Sequence, residues 1–142
     1  MDQLAEFVTN NLILFAALFG VLIMLIKAEL DHQTNKGLFV TPAAAIRLMN
    51  NEDEALIIDT RSAADFNKGH IKGAKNISTA DLNSDLSQYS AYKNKMVLVY
   101  CNSGNTATRA IKLLKTAGFQ KVNNLDGGIA AWKEANMPLS KK

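Results

Sequence analysis

At 142 residues the chain has room for one modest domain, and its 16 Lys and Arg against 13 Asp and Glu leave a formal net charge of +3. These charges are scattered, with no aromatic-basic stripe, which argues against a nucleic-acid partner. A single cysteine, Cys101, excludes an intramolecular disulfide framework and suits a reducing compartment.

Residues 12–26 carry no charge and, apart from Gly20, only apolar side chains, and Phe7 and Val8 extend the stretch toward the N-terminus. Residues 7–26 are about as long as a bilayer core is thick, with Thr9, Asn10 and Asn11 at headgroup depth. The pattern therefore predicts one transmembrane helix within an anchor at residues 1–27, against the alternative of a buried globular helix. A signal peptide would want a basic start and a small-residue cleavage site. Instead Asp2 and Glu6 lie near the start, and Lys27-Ala28-Glu29-Leu30 offers no such site. Every Lys and Arg lies beyond residue 26. With Lys27 and Lys36 flanking the span, the positive-inside bias places the C-terminal part in the cytoplasm beside a lipid bilayer. Ala16 and Gly20 form one small-xxx-small pair, a weak signal for a membrane-protein partner.

Residues 28–37 are polar and read as a linker, with His32 exposed, and a domain follows at residues 38–142. Thr41-Pro42 supplies a cap and a first-turn proline for a helix to about residue 49. Residues 55–58 are a continuous apolar run ending at Asp59, the mark of a strand buried on both faces. A short helix at 63–68 closes at Gly69. A brief strand at 75–77 leads through Ser78 or Thr79 into a helix at 80–86. Residues 96–100 form the central strand. Ala107, Ala110, Ile111, Leu114 and Ala117 recur at helical spacing before Gly118. A strand at 121–125 turns through Asp126-Gly127-Gly128 into a last helix that carries Trp132 as a core residue and ends near Pro138. Strands alternating with helices predict an α/β fold with a mainly parallel sheet, whose site lies outside the carboxyl ends of the strands.

Cys101 falls at such an end, where Met96-Val97-Leu98-Val99-Tyr100 breaks into Asn102, Ser103, Gly104, Asn105 and Thr106. These are turn and capping residues. The N–H groups of a tight loop and of a helix N-terminus favour an anion, so a thiol exposed there reads as a nucleophile. The competing reading is a small buried hydrophobe.

Five motifs, Ile57-Ile58-Asp59-Thr60-Arg61, Asp65-Phe66, Gly69-His70-Ile71-Lys72-Gly73-Ala74, Val99-Tyr100-Cys101-Asn102-Ser103-Gly104-Asn105 and Leu125-Asp126-Gly127-Gly128 with Trp132, stand in the order and at the spacing of a single-domain rhodanese, which residues 38–139 resemble. With its apolar leader the chain is similar to the bacterial YibN-type anchored rhodaneses. The resemblance implies a five-stranded, mainly parallel sheet flanked by helices. It also implies sulfurtransferase activity through a Cys101 persulfide held by the Asn102–Thr106 loop, a donor such as thiosulfate, a thiol or cyanide acceptor, no cofactor, and a place at the inner membrane.

Many rhodanese loops carry a cation, whereas Asn102, Ser103, Asn105 and Thr106 are neutral, which predicts poor affinity for thiosulfate. The residue six places after Cys101 is Ala107 and Arg109 stands two further on, which argues against a cysteine phosphatase of the C-x5-R kind. Asp59 and Arg61 are supporting candidates. Arg61 is expected to pin the Asp59 turn through Asp65 or a backbone carbonyl, and Asp59 to cap it or orient the loop. His70 has no second histidine beside it and reads as packed or hydrogen-bonded, with no metal site. The glycines of Asp126-Gly127-Gly128 read as a sharp turn and not a phosphate loop. An interaction or regulatory module with little turnover is the competing function.

Overall fold

Asn11 divides the N-terminal apolar segment into two helices. The computed structural model describes residues 2–36 and 39–141, with the side chains of residues 3, 6–30 and 39–141. The chain forms two units, Met1–Lys36 and Gly37–Lys142. In the first, α1 (Asp2–Asn10) ends where the Asn11 amide donates to the Phe7 carbonyl at 2.8 Å. α2 (Leu12–Lys36) then starts with the Phe15 N–H on the Asn11 carbonyl at 3.1 Å. An asparagine that competes for backbone groups in this way interrupts a helix. The Phe7 and Phe15 rings meet edge to face across the break, with centroids 6.1 Å apart.

Among the described residues the stretch long and apolar enough to cross a membrane is the 19-residue Leu12–Leu30, which overlaps the expected 7–26 and begins after Asn11. Its apolar side chains apart from Phe15 are exposed, Ile13 by 85%. The polar residues up to Lys36, expected as a linker, continue the helix. Gly37 and Leu38, where the domain was expected to begin, and the side chain of His32 lie outside the described residues.

In the second unit β1 (Phe39–Val40), β2 (Leu56–Asp59), β3 (Lys75–Asn76), β4 (Met96–Tyr100) and β5 (Lys121–Leu125) form one sheet in the order β1-β5-β4-β2-β3. Every pairing is parallel. β1 has no counterpart in the sequence reading. It is an edge strand of two residues, too short for any periodicity, and exists through its register with Asn124 and Leu125. β4 is buried at every position, which is why it reads as an unbroken apolar run.

The helices are α3 (Pro42–Asn51), α4 (Ala63–Lys68), α5 (Thr79–Ser84), α6 (Ala107–Thr116) and α7 (Gly128–Glu134), with a 3-10 helix at Ser87–Tyr92 that the sequence reading lacked. Side-chain caps start three of them: Thr41 accepts from the Ala44 N–H, Ser62 from that of Asp65, and Ser78 with Asp81 forms a capping box. Ser78, not Thr79, is the cap.

Strand alternation sorts side chains onto two cores. Leu56, Ile58, Val97, Val99 and Cys101 join Ala107, Ala110, Ile111 and Leu114 of α6. Ile57, Met96, Leu98 and Tyr100 join Ala45, Ile129 and Trp132 on the opposite face. Parity thus places Cys101 on the α6 side and Tyr100 on the α7 side.

At the end of β2, on Tyr100's face, lies the buried ion pair Asp59–Arg61, with side chains 0% and 4% exposed and a closest approach of 2.6 Å. Arg61 Nε donates to both Asp59 oxygens, and its Nη2 also donates to the Gly69 carbonyl at 2.8 Å. Of the two expected partners the backbone carbonyl is met, by Gly69, and Asp65 is not: Asp65 lies in the first turn of α4 behind its cap Ser62, its carboxyl held below the usual range by the Ser62 hydroxyl and Lys68. Two residues' separation lets Asp59 reach the Arg61 backbone N–H as well, at 2.9 Å. Burial opposes the Arg61 charge, but the Asp59 carboxylate outweighs it and raises the guanidinium pKa. Burial likewise pushes the Tyr100 phenol up, so it stays neutral and accepts the Ile71 N–H at 3.1 Å.

Removing one partner leaves a buried charge unpaired. Asp59→Ala is expected to lose about 3–5 kcal/mol, a large share of a small domain's stability, measured by denaturant unfolding. A loss below about 1 kcal/mol, the scale of an exposed pair, would refute this account of the pair.

Candidate active site

β4 delivers Cys101 to the carboxyl end of the sheet, and α6 begins six residues later. The intervening loop is folded by contacts from three directions. Within it, the Gly104 N–H donates to Cys101 Sγ at 3.0 Å. Gly104 has φ 95°, in the region that favours glycine, and this lets the chain curl back on the sulfur. From below, Asn124 Nδ2 donates to the Gly104 carbonyl at 3.0 Å. From the side, the first turn of α7 supplies two N–H groups, Ile129 to the Cys101 carbonyl at 2.9 Å and Ala130 to the Asn102 carbonyl at 3.2 Å.

The last contact explains the double glycine. A Cβ at Gly128, whose φ is 60°, would sit 2.4 Å from the Cys101 carbonyl oxygen and 2.7 Å from that of Asn102. The glycines make the expected sharp turn, and Gly128 also admits the cysteine loop against the helix. The sequence pattern alone gives no sign of that approach.

Cys101 is 3% exposed, so the expectation of an exposed thiol is corrected: the side chain packs with Val99, Ala107 and Ala110 while Sγ accepts the Gly104 N–H. Asn102, Ser103, Asn105 and Thr106 are exposed around it, and Gly104 is buried. Thr106 does not cap α6 with its side chain. The first N–H groups of α6 therefore lack that partner at the helix end nearest the loop, where the macrodipole favours an anion.

The supporting candidates act at one remove. The side chains of Asp59 and Arg61 bond to each other, to the Arg61 N–H and to the Gly69 carbonyl, and parity sets Asp59 on the face opposite Cys101. The turn they hold carries Thr60, whose N–H and Oγ1 both donate to the Tyr100 carbonyl, at 3.0 and 3.1 Å. Thr60 thus clamps the residue before the cysteine, a role the sequence reading missed. It missed Asn124 too, although strand alternation from Val122 places position 124 on the inward face, where an asparagine is a visible misfit. His70 is packed as expected, stacked on Phe66 with Nδ1 2.9 Å from the Phe66 carbonyl. Trp132 is core, its indole N–H on the Pro138 carbonyl.

The family model for the rhodanese-like domain matches residues 41–135. The chain belongs to the rhodanese family. Among relatives, this rhodanese is 32% identical over 140 residues to the uncharacterized protein YibN of Escherichia coli K12, covering 98% of this chain and 97% of that protein. The match takes in the N-terminal apolar helix as well as the domain. It is 36% identical over 88 residues to the thiosulfate sulfurtransferase GlpE of Shewanella oneidensis, covering 62% of this chain and 85% of that one. A solved rhodanese-like domain from Anabaena superposes with a TM-score of 0.63 at 33% identity, over 72% of this chain and 78% of that domain. The rhodanese fold and membership of a sulfurtransferase family follow.

Gly128→Ala is expected to push the loop off α7. Left-handed strain of about 1–2 kcal/mol adds to the clash. Thermal unfolding should fall, and a bulky disulfide reagent should label Cys101 faster in the native state. A variant with parental melting and labelling would show that α7 does not brace the loop.

Proposed function

We propose that this rhodanese is a membrane-anchored sulfurtransferase that carries sulfane sulfur as a persulfide on Cys101. The observation that carries the reading is the Gly104 N–H on Cys101 Sγ, in a loop whose carbonyls are tied to α7 and whose exposed rim is polar. An N–H aimed at the sulfur stands where negative charge is carried during transfer. The thiolate attacks the outer sulfur of a donor such as thiosulfate, a new S–S bond forms, and the donor's own S–S bond breaks so that sulfite leaves with the electron pair. The loop's N–H groups then face the terminal sulfur of Cys–S–S⁻. A thiolate acceptor, or cyanide in the test tube, takes that sulfur and returns Cys101 as thiolate.

Thiosulfate as donor is supported by the name of the GlpE relative and opposed by the loop, whose Asn102, Ser103, Asn105 and Thr106 offer no cation to a sulfonate. The same neutrality favours, as a second reading, a rhodanese-like interaction or regulatory module with little turnover. The thiol buried against a donated N–H supports the enzyme.

Leu12–Leu30 supports an anchor, and the confinement of Lys and Arg to residues beyond 26 supports a single pass through a bacterial inner membrane with the domain in the cytoplasm. The full chain is then expected to stay in the membrane pellet through an alkaline carbonate wash, assayed by immunoblot. Release into the supernatant would overturn the anchored reading.

Cys101→Ser is expected to abolish persulfide formation, read by mass spectrometry, and thiocyanate production from thiosulfate and cyanide. Because the thiol is packed, the hydroxyl should also cost about 1–2 kcal/mol in stability. Unchanged thiocyanate production in that variant would refute the assignment.

A further inference from the structure

Asn124 is a buried polar side chain to which sulfur transfer as described assigns no role. It sits inside β5 with 1% of its surface exposed, two residues after Val122 and therefore on the same face of the sheet, the one that carries Cys101. In register it pairs with Val99, two residues before the cysteine. Its Nδ2 donates to the Gly104 carbonyl at 3.0 Å, and its Oδ1 is buried without a hydrogen-bond partner among the described residues. The orientation of the amide is forced, because a carbonyl can only accept and the nitrogen must face it.

An apolar side chain of similar size could not make the one bond the amide provides here, its donation to the Gly104 carbonyl. Gly104 shows what that bond holds. Its N–H meets Cys101 Sγ at 3.0 Å, its φ of 95° sets the angle between its two peptide planes, and its carbonyl is held by the Asn124 amide. Fixing the Gly104 carbonyl fixes the second plane and, through the Cα, the direction of the N–H in the first.

We propose that Asn124 is a positioning residue for sulfur transfer: it anchors the Gly104 carbonyl so that the Gly104 N–H stays aimed at the sulfur of Cys101, as thiolate and as persulfide. The proposal rests on the reading of Cys101 as the sulfur-carrying nucleophile. Asn124 itself touches no reacting atom and acts through Gly104.

The test uses the full chain in detergent, with Asn124→Leu matching the side chain in size. Two rates are measured per folded molecule, with the folded fraction taken from circular dichroism: alkylation of Cys101 by iodoacetamide at neutral pH, and thiosulfate-to-cyanide turnover resolved into kcat and KM. With each alkylation rate divided by that chain's limiting rate at high pH, so that access to the packed thiol cancels, a misaimed donor should lower the neutral-pH alkylation rate and kcat each by roughly tenfold while KM stays within about twofold, since the lost interaction belongs to the anionic sulfur and not to donor capture. Parental rates in both reactions, or a change confined to KM, would overturn the proposal. Should Asn124→Leu not fold, Asn124→Ser, whose shorter hydroxyl reaches less far toward Gly104, is read the same way: reduced alkylation supports the assignment and parental alkylation overturns it. Alkylation needs no sulfur donor. A parental chain that turns over no thiosulfate therefore counts against the proposed activity, while the alkylation comparison still decides the role of Asn124.

Discussion

The carbonyls of Cys101 and Asn102 point at the first turn of α7 and are taken there by the N–H groups of Ile129 and Ala130. A helix leaves its first N–H groups without partners, and a tight loop leaves its carbonyls without partners. Each supplies what the other lacks, so β5, α7 and the cysteine loop become one piece. The close approach requires Gly128, because a side chain there would overlap both carbonyl oxygens. With its carbonyls turned toward α7, the loop is free to direct the Gly104 N–H onto the sulfur.

Around this contact the sheet distributes its work by parity. Successive residues of β4 face opposite cores, so Tyr100 and Cys101 serve different ends although they are neighbours in the chain. Tyr100 lies with Asp59, Arg61 and the Ile71 N–H in a buried polar cluster that the Gly69 carbonyl completes. That cluster holds the turn carrying Thr60, and Thr60 holds the Tyr100 carbonyl one residue before the thiol. Buried networks of this kind are stable only when complete, and this one braces the start of the loop from the far face of the sheet. The near face adds Asn124 beneath Gly104.

Domain and N-terminal helix dispose of their apolar side chains differently. The domain hides its apolar side chains in two cores, whereas α2 exposes Ile13, Leu14, Phe19, Met24 and their neighbours over a length matched to a bilayer. Asn11 marks where that apolar stretch begins, since a side-chain amide bonded to the Phe7 carbonyl ends one helix before the next starts.

Much of this was legible in residue order because it depends on local pattern. The unbroken apolar runs at 56–58 and 96–100 announce strands buried on both faces, Thr41-Pro42 and Ser78 announce helix starts, and a cysteine followed by small polar residues at a strand's end announces the site. β1 was not legible, because two residues carry no period and are strand only by virtue of their register with β5. Nor was the partner of Arg61, since both Asp59 and Asp65 lie within reach along the chain and only the fold buries one with it. Neither the burial of Cys101 nor the bond from Asn124 to Gly104 could be read from spacing, because both arise where strands and helices distant in sequence close over one another. Local propensity and hydrophobic period act over a few residues and so belong to the sequence, whereas aiming a single N–H at a sulfur takes long-range contacts that only the folded chain supplies.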